Sequence, residues 1–362
     1  MSGSVTSAPS KIESEMEAGA ASSTEQETAA RSLPWKVRLQ LFGLVAAAGA
    51  TMRPDGTVRR FVFSLLDRPA RASARPDRSG VRSADVAVDP SRGLWARVFS
   101  PAQAADAPLP VLVYFHGGAF VLLSAASPAY DAMCHRLCRD LRAVVVSVNY
   151  RLAPEHRCPA AYDDGVDVLR HLASTGLPPD LAVPVDLSRC FLAGDSAGGN
   201  IAHHVAQRWT ASSAASNPIR LAGVVLVQPY LGGEERTPAE LRLDGKVPVV
   251  TMRGSDWAWR AFLPEGADRD HPAAHVTDEN AGLAEEFPPA MVVVGGLDPL
   301  QDWQRRYADV LRRKGKAVRL VEFPEAIHAF FFFPVLPDCG RLVTEMKAFM
   351  DESIAGRLIT AH

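Results

Sequence analysis

The chain is short of the features that mark several large classes of protein. Its 362 residues carry a formal net charge of −2 at pH 7, so no excess charge is available to attract nucleic acid or an anionic membrane surface. No combination of histidine, cysteine and acidic residues has the spacing of a zinc site. We therefore expect no nucleic-acid partner, no metal and no cofactor, and any chemistry has to come from the chain's own groups.

Cysteine is scarce too, and its pattern argues against a secreted, disulfide-bonded protein. The five cysteines form no CxxC pair, and their odd number leaves no complete disulfide framework. The first 32 residues lack the apolar core of a signal peptide, and their five glutamates are untypical of a transit peptide. We expect residues 1–32 to be a disordered tail and the protein to be cytoplasmic, with the nucleus as a further location.

Long apolar runs are missing as well. The segment "LPWKVRLQLFGLVAAAGA" at 33–50 is interrupted by Lys36, Arg38 and Gln40. It is too short and too polar to cross a bilayer, which needs about 20 consecutive, mainly apolar residues. We predict an amphipathic helix here, within an N-terminal lid or cap segment over residues 33–75, and no stable membrane insertion.

From residue 80 to the end, the sequence alternates between short apolar runs and longer helical patterns. The short runs in "ADVAVDP" and "LWARVFS" are parted by the turn-forming residues Pro90, Ser91, Arg92 and Gly93, which predicts a hairpin. Further apolar, β-branched runs suit strands that are buried on both faces and joined by helical crossovers. We predict an α/β fold with a mostly parallel, doubly wound central sheet flanked by helices, whose later strands lie at 110–115, 143–149, 190–194, 221–228, 290–296 and 317–323.

One long segment interrupts this alternation between the runs that end at 228 and begin at 290. Long insertions in compact domains are usually functional, and this one carries several large aromatic residues. We expect a helical cap insertion at about 229–264 that joins the N-terminal helix over the carboxyl edge of the sheet, where such folds bind ligands. Trp257 and Phe262 are predicted to contact the ligand there.

The stretch "CFLAGDSAGGN" places Ser196 in a GxSxG pattern between an apolar strand and a helical run. A nucleophile elbow needs this context, because the serine sits in a strained turn and glycines on either side avoid a clash. The alternative, a glycine-rich phosphate-binding turn, lacks the lysine or the GxGxxG spacing that it requires. The pattern therefore predicts Ser196 as a nucleophile.

A second glycine-rich stretch, "VYFHGGAF", also follows a strand. The paired glycines Gly117 and Gly118 allow backbone N–H groups to approach a substrate oxygen. Together with the amide of Ala197 they predict an oxyanion hole.

Two partners for the serine are then required, with the acid ahead of the histidine in the chain. Asp298 follows the run at 290–296, although it has an alternative as a helix N-cap and Asp302 is a nearby competitor. His328 lies in "FPEAIHAFFFFP", where the alternative is a core histidine bonded to a carbonyl group. Since loops after parallel strands open at one edge of a sheet, Ser196, Asp298 and His328 are predicted to converge as a catalytic triad.

The motifs "HGGAF", "NYRLAPEH", "GDSAGGN", "GLDPL" and "IHAF", in this order, resemble those of the plant carboxylesterases of the hormone-sensitive-lipase group. This resemblance implies an α/β-hydrolase fold, the triad and oxyanion hole named above, and an N-terminal lid helix. The chain departs from the family at Ala119, where glycine or serine is frequent. The resemblance implies that this residue shapes the floor of the substrate pocket.

The same subfamily contains the gibberellin receptors, which the chain also resembles but which lack the catalytic histidine. We therefore expect a serine-dependent carboxylic ester hydrolase that acts on small to medium acyl or aryl esters through an acyl-enzyme. The alternatives are a gibberellin-receptor-like hormone-binding protein with no or vestigial hydrolysis, and a dehydratase built on the same site. A small-molecule ester is the expected partner, and a protein partner is expected only for the receptor-like alternative.

Overall fold

A computed structural model of the protein describes residues 33–103, 107–178, 181, 183–212 and 217–358. The predicted disordered tail, residues 1–32, lies outside the described residues. No helix within these ranges combines the length and the apolar character that a bilayer crossing requires.

The described strands are β1 (Val81–Asp89), β2 (Leu94–Pro101), β3 (Leu109–Phe115), β4 (Val144–Asn149), β5 (Val185–Asp195), β6 (Leu221–Val227), β7 (Ala290–Leu297) and β8 (Val318–Ile327). They form one sheet in the order β1-β2-β4-β3-β5-β6-β7-β8. β2 pairs antiparallel with β1 and β4, and the other neighbouring pairs are parallel. The mixed, mostly parallel sheet predicted from the sequence is confirmed.

Helices cover both faces of this sheet, which explains why its inner strands are apolar throughout. Along β3, Val111 and Val113 enter one core while Leu112 enters the other, because successive strand residues point to opposite faces. The described helices are α1 (Trp35–Thr51), α2 (Arg60–Leu66), α3 (Pro128–Leu141), α4 (Ala160–Thr175), α5 (Ala197–Ser212), α6 (Pro238–Leu243), α7 (Met252–Phe262), α8 (Gln301–Arg313) and α9 (Pro337–Ile354). Residues of α4, α5 and α8 enter the first core, and residues of α3 and α9 enter the second.

The N-terminal helix α1 is present where the sequence predicts it, but it is not simply amphipathic. Val37 and Leu41 are buried against the domain. Trp35, Leu39 and Phe42 are 69%, 62% and 72% exposed, respectively. The prediction of an amphipathic helix is wrong because apolar residues also occupy the outward face.

The insertion between β6 and β7 contains the short helix α6 and the longer helix α7. Thr237 and Glu240 form a reciprocal capping box at the start of α6, and the Thr251 side chain caps α7. On α7, Trp257 Nε1 donates to the carbonyl oxygen of Arg53 at 2.6 Å. The insertion is thereby joined to the N-terminal segment, although a covering role for the two stays a prediction.

Candidate active site

Ser196 lies in the turn between β5 and α5, at the carboxyl edge of the sheet. Its φ of 52° falls in the left-handed region, which is strained for a residue other than glycine. Its N–H donates to the carbonyl oxygen of Val227 on the neighbouring strand at 2.9 Å. A Cβ on Gly194 would lie 2.2 Å from the Gly198 oxygen, and one on Gly198 would lie 1.9 Å from the Phe115 oxygen. The tight turn around Ser196 therefore requires glycine at both positions.

Asp298 and His328 form a buried, hydrogen-bonded pair on the loops after β7 and β8. His328 Nδ1 and Asp298 Oδ2 are 2.8 Å apart, and the two side chains are only 4% and 0% exposed. Asp298 also accepts from the Leu300 N–H at 3.0 Å and from Gln304 Nε2 at 2.9 Å. Three donors thus surround the buried carboxylate and hold it in one orientation.

This geometry distinguishes between the alternative partners of His328 and between the two candidate acids that the sequence left open. The partner of His328 is a carboxylate and not a backbone carbonyl. The competing acid, Asp302, accepts instead from the Ala239 N–H at the start of α6, 2.8 Å away. The N-cap of α8 is Leu300, and no side chain caps it. Asp298 is therefore the acid that contacts the histidine.

The electrostatic surroundings of His328 favour its protonated form. Burial acts to lower the pKa of His328, but the negative charge and the hydrogen bond of Asp298, together with the charge of Asp195, raise this pKa overall. With Nδ1 bonded to Asp298, Nε2 is the ring nitrogen left to act as a base. The Ser196 hydroxyl makes no hydrogen bond within the described part of the chain, so its pairing with His328 stays a prediction.

Three backbone N–H groups near the serine are free of internal acceptors. Those of Gly118, Ala119 and Ala197 donate to no group among the residues that the structure describes. Gly118 and Ala119 have φ values of 103° and 54°, so the chain turns sharply at this loop. The Gly117 N–H differs, because it donates to the Tyr130 hydroxyl at 2.6 Å. The Gly117 N–H is therefore not free to donate to a substrate oxygen, in contrast to its predicted place in an oxyanion hole.

A buried polar network, which the sequence pattern does not predict, joins this loop to the serine turn. Asp195, next to Ser196, accepts from the Tyr114 and Tyr130 hydroxyls at 2.8 Å each. Burial raises the pKa of Asp195 to about 6, although the two hydroxyls act to lower it. A Cβ on Gly117 would lie 2.4 Å from Asp195 Oδ2. The glycine thus brings the loop close to the carboxyl group beside the nucleophile.

Two of the three predicted substrate-binding residues, Ala119 and Phe262, lie at the same loop. Phe120, which follows Ala119, stacks on Phe262 with ring centroids 3.6 Å apart. Phe262 is buried, and the Trp257 ring is used to contact the N-terminal segment. Substrate contact by Ala119, Trp257 and Phe262 stays a prediction, and the geometry gives Phe262 a role in supporting the loop.

Comparison with known proteins defines the class to which this fold and site belong. The family described as alpha/beta hydrolase fold matches residues 112–332, and the chain belongs to this family. The matched range begins in β3 and ends just after His328. A solved esterase from Pyrobaculum calidifontis is 32% identical and superposes with a TM-score of 0.65, covering 78% of this chain and 87% of the esterase.

Within the family, the similar proteins are of two kinds. Gibberellin receptor GID1C from Arabidopsis thaliana is 44% identical over 315 residues, covering 83% of this chain and 89% of the receptor. Carboxylesterase 20 from the same plant is 37% identical over 282 residues, covering 73% of this chain and 84% of the esterase. The resemblance to plant carboxylesterases and gibberellin receptors is confirmed, and these relatives leave two functions to be separated.

Proposed function

We propose that the protein is a serine-dependent carboxylic ester hydrolase. The observation that carries this proposal is the buried pair of His328 and Asp298, 2.8 Å apart, on the loops after β7 and β8. A protein that only binds a ligand has no need for a histidine oriented through Nδ1 by a buried carboxylate. Such an arrangement is the base that a serine nucleophile requires.

In the proposed mechanism, Ser196 Oγ attacks the carbonyl carbon of the ester while His328 Nε2 takes the hydroxyl proton. Asp298 stabilises the imidazolium that forms. The tetrahedral intermediate collapses when the alcohol leaves with the proton from Nε2, and the acyl group stays on Ser196. Water then attacks this acyl-enzyme and gives a proton to His328. As the second tetrahedral intermediate collapses, His328 returns this proton to Ser196 Oγ, the carboxylic acid leaves and the free serine is regenerated. Each step uses only the chain's own groups and water.

The negative oxygen of the intermediate needs hydrogen-bond donors that are free in the resting protein. We assign this role to the N–H groups of Gly118, Ala119 and Ala197, which have no internal acceptor in the described residues. Gly117 leaves the predicted set because its N–H is bonded to Tyr130. One such donor typically contributes about 3 kcal/mol of transition-state stabilisation.

A second candidate function is gibberellin binding, which is the function that the names of the receptor relatives state for those proteins. It is favoured by the 44% identity to GID1C and by the exposed apolar residues Trp35, Leu39 and Phe42 on α1. Contiguous apolar surface on a helix is typical of a site that contacts a protein partner. The buried His328–Asp298 pair argues for the esterase, and we rank that function first.

Turnover of p-nitrophenyl esters of increasing acyl length by the full-length protein tests the proposal. We expect hydrolysis of short to medium esters, and stoichiometric labelling of Ser196 alone by a fluorophosphonate. The length profile would define the acyl preference. Absence of turnover for every ester, or labelling at another residue, would contradict the proposed function.

A further inference from the structure

Gln228 lies directly after β6, between the strands that lead to Ser196 and Asp298, and its side chain is fully buried. We propose that Gln228 is a positioning residue that fixes the backbone around His328 and so holds the imidazole between Asp298 and Ser196. The inference rests on the proposed esterase function, in which His328 is the base. It concerns a residue that touches neither the substrate nor the reacting atoms.

The carboxamide of Gln228 forms hydrogen bonds with the backbone on both sides of His328. Its Nε2 donates to the carbonyl oxygen of Ile327 at 3.2 Å, and its Oε1 accepts from the Ala329 N–H at 2.9 Å. These two groups belong to the peptide bonds on either side of His328. Because the carboxamide is planar, rotation of either peptide bond would break one of the two hydrogen bonds.

Gln228 supports the backbone at a point where strand pairing in the sheet has ended. Pairing between β7 and β8 ends at Leu297 and Ile327, one residue before the histidine. The next residues in the chain form the apolar turn Phe330–Phe332. Asp298 therefore holds the ring of His328, whereas Gln228 holds its backbone.

Backbone conformation points to the same role. Gln228 and Ala329 have φ values of 46° and 68°, which residues other than glycine rarely adopt. Gln228 is held in this conformation by its N–H, which donates to the Val293 oxygen at 2.9 Å. The preceding residue, Val227, accepts the Ser196 N–H at 2.9 Å. One short segment therefore connects the serine turn with the histidine loop.

The fold also leaves a space for this side chain. A Cβ on Gly295 would lie 2.4 Å from Gln228 Nε2 and 2.6 Å from the Ala326 oxygen. Any larger residue at 295 would push the carboxamide away from the loop. The absence of a side chain at Gly295 therefore leaves room for the Gln228 carboxamide and lets the histidine loop pack closely against the end of β6.

The test compares Gln228→Met, which keeps the length of the side chain but makes no hydrogen bond, with Gln207→Met as a matched control. Gln207 also donates from Nε2 to a backbone oxygen, that of Ala281, but it lies on α5 away from the histidine loop. We expect Gln228→Met to lower kcat by about 100-fold with little change in KM, because a shift of the base by ~1 Å has an effect of this order. Gln207→Met should keep kcat within about twofold of wild type, since its bond touches no reacting group.

A second variant separates positioning from general stability. In Gln228→Glu, a protonated glutamic acid can still donate to Ile327 and accept from Ala329, whereas the ionised form cannot donate. As pH rises and this carboxyl group ionises, the activity of Gln228→Glu should fall. The wild-type pH profile should lack this decrease at high pH. This variant also decides the matter if Gln228→Met does not fold.

Proton NMR gives a readout that does not depend on turnover. The low-field resonance of the His328 Nδ1 proton should be sharp in wild type and Gln207→Met and broadened or lost in Gln228→Met. An unchanged resonance, with a kcat loss no larger than that of the control, would overturn the role of Gln228 while leaving the esterase function intact. A wild type without turnover would refute the esterase function, and the resonance would then test the positioning role alone.

Discussion

The proposed reaction centre and the N-terminal segment of this protein are built in opposite ways. At the sheet edge Ser196, Asp298 and His328 are each more than nine-tenths buried, and hydrogen bonds fix the acid and the base. On α1, by contrast, Trp35 and Phe42 are more than two-thirds exposed. A fixed, water-poor centre suits chemistry, whereas an apolar surface on an outer helix suits contact with a ligand, a partner or both.

Hydrogen bonds attach the N-terminal segment to the rest of the domain, in addition to the packing of the buried Val37 and Leu41. Arg60 forms a paired hydrogen bond with the Glu155 carboxylate at 2.6 and 3.0 Å, and it also donates to the Ala153 oxygen at 2.6 Å. Trp257 contacts the Arg53 oxygen from the insertion. These contacts involve none of the proposed catalytic groups. Changes in the two regions should therefore have separable effects on chemistry and on binding.

The largest effect is expected from Ser196→Ala. Without the attacking oxygen, kcat for ester hydrolysis should fall on the order of 10⁶-fold, as removal of a catalytic serine does in other hydrolases. The melting temperature should stay close to that of wild type or rise, because the left-handed turn is retained and only a hydroxyl is lost. Steady-state kinetics and thermal unfolding of the same preparations check both statements, and substantial remaining turnover would remove Ser196 from the mechanism.

The next effect distinguishes the two neighbouring acids. Asp298→Asn should lower kcat about 10⁴-fold, because the amide cannot stabilise the imidazolium and favours the wrong tautomer of the histidine. Asp302→Asn is the matched control and should change kcat less than about threefold, since the hydrogen bond and the ion pair of Asp302 go to the start of α6 and to its own helix. If the order of the two losses is reversed, the acid has been misassigned.

The pH dependence of kcat/KM tests the charges around the base. His328 must be neutral to accept a proton, and Asp298 and Asp195 raise its pKa in the folded protein despite its burial. The acidic limb of a plot of kcat/KM against pH should therefore have an apparent pKa above the reference histidine value of about 6.5, and below it kcat/KM should fall about tenfold per pH unit. An apparent pKa well below about 6.5 would show that these charges do not govern the base.

The smallest effect is expected in the N-terminal region. Deletion of residues 1–52 removes all of α1 and should change KM or acyl preference several-fold while kcat for a small ester changes less, because no reacting group is lost. Deletion of residues 1–32 is the control and should leave both parameters nearly unchanged. Identical kinetics for the two truncated proteins, measured over the same ester series, would contradict a covering role for α1.

The same contrast explains what could be predicted from the sequence. Ser196 and the strands around it were predictable because apolar periodicity and the GxSxG spacing are local signals. Asp298 and His328 followed from the rule that loops after parallel strands share one edge. Gln228 and Tyr130 carry no local signal, since each acquires its partner only when distant segments pack together.

The outward face of α1 was missed for a different reason. The sequence pattern shows which residues are apolar but not how much of the domain lies against each side of a helix. Val37 and Leu41 are covered, while Leu39 and Phe42 between and beyond them are not. A helix that is apolar on both sides is consistent with contacts beyond the domain itself.

In the proposed function His328 makes this protein an enzyme, and one paired measurement tests this directly. Wild type and His328→Val are assayed side by side for hydrolysis of p-nitrophenyl acetate and for saturable binding of a bioactive gibberellin. We predict measurable turnover by wild type and its loss in His328→Val, with no tight hormone binding by wild type. Hormone binding at micromolar or better affinity by a wild-type protein that hydrolyses no ester would contradict the proposed esterase function.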